Sequence, residues 1–339
     1  MKITIVGAGA IGGYVAVKLA LAGETVSVIA RGANLAAIQS RGLRLILNDG
    51  TELVARDVAA SADFAALGPQ DIVVLAVKAH QVDGVANDVA ALFGPETVVV
   101  TMQNGVPYWY FHAYGGPLEG RCLESVDPGG VCLRQIPPAR VIGCVVYPAA
   151  VLEAPGVIRH IEGERFPVGE PNGALSPRVQ AVSDCLTRAG FKAPVLDNIR
   201  AEIWLKLWGN LTFNPISALT RATLVDICQF SPTRNLAAAM MTEAQAVANK
   251  LGITFRLPIE RRIAGAERVG KHKTSMLQDL EAGRVMETEA LLGSVLELAR
   301  VTETQVPAIE AVYALVTLLG KQAQIEHKAA ATAPSPAGR

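Results

Sequence analysis

A lysine and two asparagines recur at intervals of four in Lys206-Leu-Trp-Gly-Asn210-Leu-Thr-Phe-Asn214-Pro215. Positions four apart share one face of a helix, so the spacing predicts a polar stripe about two turns long. The rest of the segment is Ile203, Leu205, Leu207, Trp208, Leu211 and Phe213. An ammonium and two amides among apolar side chains are costly to bury unless they bond to one another, to water or to a ligand. Two arrangements meet that demand. Either the amides satisfy their own interior beside a snorkelling lysine, or the stripe walls a cleft and offers a proton donor and two amides to a small polar molecule. Pro215 has no N–H and crowds the carbonyl near residue 211, so the helix is expected to bend or end there.

The second stretch with chemistry is Gly7-Ala8-Gly9-Ala10-Ile11-Gly12. It follows the apolar run Ile3–Val6 and precedes Tyr14, Val15, Val17, Leu19 and Leu21, which read as a helix ending near Gly23. In a strand, glycine turn, helix unit, the first glycine permits the tight turn and the second lets the backbone approach a pyrophosphate. The third lets helix and strand pack closely, and the phosphates lie at the helix amino end. The flanking strand and helix make this a dinucleotide-binding turn rather than a lone glycine pattern. After the next strand, Thr25–Ala30, an acidic residue would hold the 2′-hydroxyl of NAD, and Arg31 stands there instead. A guanidinium can clamp a 2′-phosphate, which favours NADP; a solvated arginine is the alternative.

Stepping along the chain, residues 41–58 alternate as two short strands around Asn48-Asp49-Gly50, a hairpin signal. Asp71–Val77 and Glu96–Met102 are apolar runs suited to buried parallel strands. Sites in such sheets lie at the strands' carboxyl ends, which points to Lys78 and Asn104; pairing with Gly105 in a turn explains Asn104 equally well. Pro107 to 140 is an aromatic loop with Tyr108, Trp109, Tyr110, Phe111 and Tyr114, read as a flap or a partner surface. Val141–Val146, Val157–Ile161 and Phe166–Gly169 read as antiparallel closing strands, Ser176–Ala189 as a helix, and Phe191–Leu196 as a short strand. From about Asn198 the periodicity is helical: 201–219, 234–251, Glu287–Arg300 and Pro307–Lys321. Gly283 interrupts it, so Glu287 falls in the first turn of the following helix, where a carboxylate is favoured by the dipole.

The expected fold class is therefore α/β, with an N-terminal parallel sheet over 1–197, an all-helical domain over 198–328 and a disordered tail over 329–339. The chain carries 31 basic and 31 acidic residues, which gives no electrostatic footprint for nucleic acid or an anionic membrane. Its amino terminus is too short and broken by glycine to be a signal segment, and no span has the length of a membrane helix. Five cysteines without a Cys-x-x-Cys pair or a histidine at ligand spacing argue against disulfides and metal. A cytoplasmic enzyme, monomeric or homodimeric, is the expectation.

Taken in order, Gly7-x-Gly9-x-x-Gly12, Arg31, Val77-Lys78-Ala79, Gln103-Asn104-Gly105, Lys206-x-x-x-Asn210-x-x-x-Asn214-Pro215 and Ser275-Met-Leu-Gln-Asp279 with Glu287 resemble the ketopantoate reductase (2-dehydropantoate 2-reductase) family over nearly the whole chain. The resemblance implies a Rossmann-type domain joined to a helical one, NADPH as hydride donor and reduction of a 2-oxo acid to the R-hydroxy acid. It implies that Lys206 donates the proton with Glu287 as catalytic partner. Gly7, Ala8, Gly9, Ala10, Ile11, Gly12, Arg31, Lys78, Asn104 and Ala149 would hold the cofactor, and Asn104, Asn210, Asn214 and Ser275 the substrate. A protonated amine beside the carbonyl can stabilise and protonate the alkoxide that hydride addition leaves, and partial burial lowers a lysine's pKa toward working pH. Two features depart from the family. Leu224 stands where a further substrate-contacting Asn is expected, and the aromatic stretch after Gly105 is longer. They leave open a reductase of another branched 2-oxo acid and, in a different class, a non-catalytic dinucleotide sensor.

Overall fold

Residues 1–332 are described by a computed structural model of the chain, which divides into two units between Glu202 and Ile203. In chain order the first unit contains β1 (Lys2–Val6), α1 (Ala10–Leu21), β2 (Thr25–Ile29), α2 (Gly32–Arg41), β3 (Leu43–Ile46), β4 (Glu52–Ala55), β5 (Ala59–Ser61), β6 (Gln70–Leu75), α3 (Asp83–Val89) and β7 (Phe93–Thr101). They are followed by α4 (Val131–Gln135), β8 (Val141–Cys144), β9 (Ala149–Ala154), β10 (Val157–Glu162), β11 (Val168–Gly169) and α5 (Pro177–Arg188). One sheet runs β11-β8-β7-β6-β1-β2-β5 and is parallel except for β11. Its inner strands are continuous apolar runs because both faces are covered; Ile3, Ile5, Val28, Val74 and Val100 are all buried in one core.

The expected hairpin is present. Leu45 lies opposite Leu53, and Asp49 accepts a hydrogen bond from the Thr51 amide at 2.9 Å. The closing strands are present and β11 runs antiparallel to β8 as expected, but the rest of their pairing differs. β8 runs parallel to β7, and β10 pairs parallel with β3 and antiparallel with β9, making a second sheet ordered β4-β3-β10-β9. Strand β9 escapes the sequence reading because its Ala-Ala-Val-Leu-Glu-Ala run has little apolar alternation. Phe191–Leu196 is not a regular strand but two isolated bridges at Lys192 and Val195. The aromatic stretch is neither flap nor partner surface: Tyr108, Trp109, Tyr110 and Phe111 are buried. The Trp109 indole donates to Thr101 Oγ1 at 2.9 Å, and the Tyr108 hydroxyl to the Ile136 carbonyl at 3.2 Å. Burial of this much ring surface makes the segment a plug of the first unit's interior.

The second unit is helical: α6 (Ile199–Thr220), which begins in the first unit, then α7 (Leu224–Gln229), α8 (Ser231–Lys250), α9 (Ile259–Val269), α10 (Ser275–Glu281), a π-helical turn at Glu289–Gly293 that leads into α11 (Ser294–Val301), and α12 (Pro307–Thr332). Helix α12 continues past Ala329, where the tail was expected to start, and 333–339 lie outside the described residues. Helix α6 does not end at Pro215; it runs five residues further. An interior proline costs about 3 kcal/mol, but Ile216, Ser217 and Ala218 beyond it are all buried, and that packing holds the last turn. Among the described residues, no helix is long and apolar enough to cross a membrane.

Candidate functional site

The first constellation forms at the carboxyl edge of the parallel sheet. Val6, Leu75 and Thr101 close their strands in register, so Gly7, Ala76 and Met102 leave the sheet together. Lys78 and Asn104 each follow three residues past their strand's end. Lys78 is half-buried and begins a 3₁₀ turn in which Gln81 Oε1 accepts from its amide at 3.1 Å. Asn104 is half-buried ahead of Gly105, whose φ is 88°. Gln103, which the sequence reading left without a role, donates to the Leu75 and Val77 carbonyls at 2.7 and 3.1 Å and ties the ends of β6 and β7 together.

The three glycines are required for different reasons. Gly7 sits at φ 103°, and a Cβ there would lie 2.8 Å from the Val77 side chain. A Cβ on Gly12 would strike the Gly7 carbonyl and come 3.0 Å from the Ala76 methyl. Gly9 has ordinary φ of −78° as the N-cap of α1, with no side chain capping the helix, and a Cβ there would meet nothing within 4 Å. Protein packing thus accounts for Gly7 and Gly12 but not for Gly9. The space over Gly9 and the uncapped amides of α1 suit an anion at a helix amino end, and the residues present fit a dinucleotide pyrophosphate.

Gly7, Ala8, Gly9, Arg31 and Asn34 line one cavity of about 380 Å³, together with His80 and Gln81. Ala10 and Ile11 form the first turn of α1. Arg31 is exposed as the N-cap of α2, where its carbonyl accepts from the Leu35 amide at 3.3 Å, and among the described residues its guanidinium makes no ion pair or hydrogen bond. Asn34, one turn on, donates to the Ala8 carbonyl at 2.7 Å and accepts from the Gly156 amide at 2.7 Å. It pins the glycine turn to the β9–β10 turn, a contact across 122 residues that sequence spacing has no means of signalling. Ala149 does not line this cavity; it opens β9, opposite Glu162 in the second sheet.

The second constellation lies on α6 and its neighbours in the helical unit. Burial deepens along the stripe: Lys206 and Asn210 are half-buried and Asn214 is 6 % exposed. Asn214 Nδ2 reaches Ser275 Oγ at 3.4 Å, a long hydrogen bond. Ser275 is exposed at the first position of α10, after Thr274, whose hydroxyl caps the Leu277 amide at 3.3 Å. Glu287 is 8 % exposed. It stands just before the helix rather than in its first turn, and its carbonyl accepts from the Leu291 amide at 3.2 Å, over the π-helical turn. Trp208, on the opposite side of α6 from the stripe's middle, donates to the Met241 carbonyl at 2.8 Å and stacks on Phe255 with centroids 4.1 Å apart. That anchor fixes the rotation of α6 about its axis.

All five cysteines are free. Burial pushes the Cys185 thiol up to about 12 and Cys228 to about 11, so neither offers a thiolate nucleophile at neutral pH. Among the described residues, no group of three or more His, Cys, Asp or Glu side chains could hold a metal ion.

Residues 3–173 match the family model described as ketopantoate reductase PanE/ApbA, and residues 198–320 match that described as its C-terminal part. The chain is 58 % identical to a 2-dehydropantoate 2-reductase of Mesorhizobium japonicum, over 94 % of this chain and 98 % of that one. A solved 2-dehydropantoate 2-reductase of Methylococcus capsulatus superposes with a TM-score of 0.79 at 28 % identity, covering 95 % of this chain and 98 % of that chain. A PanE/ApbA family ketopantoate reductase of Ralstonia eutropha JMP134 gives 0.82 at 26 % identity, over 96 % and 100 %.

Proposed function

We propose that this chain, which belongs to the ketopantoate reductase family, reduces 2-dehydropantoate (ketopantoate) to (R)-pantoate in pantothenate biosynthesis, in the cytoplasm, with NADPH. The cofactor, when bound, supplies a hydride to the keto carbon. Everything else falls to the chain's own residues. The α1 amides and the open face of Gly9 receive the pyrophosphate, and Arg31 takes the 2′-phosphate through a charge-assisted fork. Lys78 and Asn104, at the carboxyl edge of the sheet, and Ala149 are read as further cofactor contacts, with Asn104 also a substrate contact.

Lys206 would stand beside the keto oxygen, stabilise the charge that develops there and deliver the proton. Glu287 orients the ammonium, while Asn210, Asn214 and Ser275 hold the substrate by hydrogen bonds. The observation that carries this reading is a half-buried lysine four residues ahead of Asn210 and eight ahead of the buried Asn214, in a chain of this family. Steady-state assay of NADPH oxidation with 2-dehydropantoate tests it; absence of turnover would defeat it.

A second reading is favoured by one residue. Leu224, the half-buried first residue of α7, cannot offer the hydrogen bond of an Asn, and its apolar side chain would suit another branched 2-oxo acid. The ratio of kcat/KM for 2-dehydropantoate to that for smaller 2-oxo acids separates the two.

A further inference from the structure

Glycine inside a helix costs about 1 kcal/mol relative to alanine, and α6 carries one at Gly209, between Lys206 and Asn210. Gly209 has no positive φ to justify it. What it supplies is room. A Cβ built there would overlap the guanidinium of Arg262, 2.9 Å from its Cζ. Arg262 belongs to the first turn of α9 and is half-buried, so its planar head is seated on the α6 backbone at a position only glycine leaves open. Three residues along a helix advance about 4.5 Å. The guanidinium is therefore seated on α6 three residues, a little under one turn, beyond the position that carries Lys206.

We propose that Arg262 is a substrate-binding residue that receives the carboxylate of the 2-oxo acid, leaving Lys206 for the adjacent keto oxygen; the inference rests on the reductase reading above. A 2-oxo acid is a planar anion whose carboxylate and carbonyl are directly bonded, so it needs two donors close together but with different tasks. The stripe itself has one cation and two neutral amides. The rigid guanidinium fork matches a carboxylate in two parallel hydrogen bonds, whereas an ammonium is a point donor better suited to a single oxygen and to giving up a proton. Gly209 and Arg262 form one unit on this view, since either residue without the other loses the seat or its occupant.

The test is steady-state kinetics with 2-dehydropantoate, and NADPH binding measured separately by fluorescence, on the parent chain, Arg262→Gln, Arg262→Lys and Gly209→Ala. Loss of a charge-assisted pair predicts that Arg262→Gln raises KM by about thirtyfold with kcat within a few-fold and NADPH affinity unchanged. Arg262→Lys restores part of that loss, and Gly209→Ala raises KM in the same sense by displacing the guanidinium. An unchanged KM in Arg262→Gln, a fall confined to kcat, or a lysine variant no better than glutamine would overturn the assignment. A parent chain that binds NADPH yet turns over no 2-dehydropantoate would instead overturn the reductase reading beneath it.

Discussion

In the glycine turn the constraint acts on the backbone, and in α6 it acts on side chains. Gly7 and Gly12 are dictated by atoms of Val77, Ala76 and Gly7 itself; no choice of side chain elsewhere would relieve them. The α6 stripe could be replaced by apolar residues of similar size without breaking a single helical dihedral, yet it grows more buried toward Asn214. A backbone constraint is compatible with a structural role alone. Polar side chains taken out of water are costly unless they are paired, so a polar stripe that grows more buried along a helix is a candidate for chemistry. Each region can be broken in a way that tells the two kinds of constraint apart.

The largest effect is expected at Lys206. Replacement by alanine removes the proposed acid and should lower kcat by about a thousandfold, within the range for general acid catalysis, while NADPH affinity measured by fluorescence changes little. Unchanged turnover would strip Lys206 of the role and return the stripe to a satisfied interior. If the chain were a dinucleotide sensor, the variant would behave as the parent in every assay.

The glycine turn offers a sharper contrast within itself. Gly12→Ala should lower the thermal midpoint, because the added methyl meets the Gly7 carbonyl and overpacking of this kind costs about 1–3 kcal/mol. Gly9→Ala meets nothing in the protein and has an ordinary φ, so it should melt with the parent yet bind NADPH about tenfold more weakly, the methyl occupying the phosphate's approach. Equal NADPH affinity in Gly9→Ala would show that the open position is not where the pyrophosphate lies. Next in size, Arg31→Ala should narrow the preference for NADPH over NADH by about tenfold, the loss of one charge-assisted contact. A parent chain that uses both cofactors equally would remove that assignment.

The same contrast explains what could be read without coordinates. The glycine turn, Arg31, the β3–β4 hairpin and the α6 stripe are local patterns, set by neighbours within about ten residues, and the structure contains each of them as an element. Parallel pairing of β8 with β7, and of β10 with β3 in the second sheet, depends on partners about 40 to more than 100 residues away. The aromatic plug likewise reaches beyond its own neighbourhood, to Ile136, 28 residues from Tyr108, and its turn residues suggested a surface. At Pro215 the expected helix end, one of the two outcomes local chemistry allowed, is overridden by the burial of the residues beyond it. Of the site, the contacts of Asn34 and Arg262 were illegible for one reason: each reaches a distant backbone, Ala8 and Gly156 for one and Gly209 for the other.

The smallest effect probes the frame of the first unit rather than its chemistry. Glu170 is 3 % exposed and accepts from Arg178 Nε at 2.7 Å and Nη2 at 2.6 Å, and from the Ser176 hydroxyl that begins α5. Burial pushes its carboxyl up, but the hydrogen bonds from Arg178 and Ser176 outweigh that and hold it below the usual carboxylate range. A carboxylate whose folded pKa is depressed contributes stability that is fully present above its unfolded pKa, and the contribution disappears as pH falls through the folded value. Arg178 keeps over a third of its side chain in solvent, which screens the pair, so Glu170→Gln should cost about 1–2 kcal/mol at pH 7. Denaturant melts of parent and variant should therefore differ at pH 7 and converge as the pH is lowered below the carboxylate range, with cofactor affinity at pH 7 unaltered. A difference that persists undiminished into acid would mean that shape and hydrogen bonding at residue 170, not its charge, anchor α5 to the end of β11.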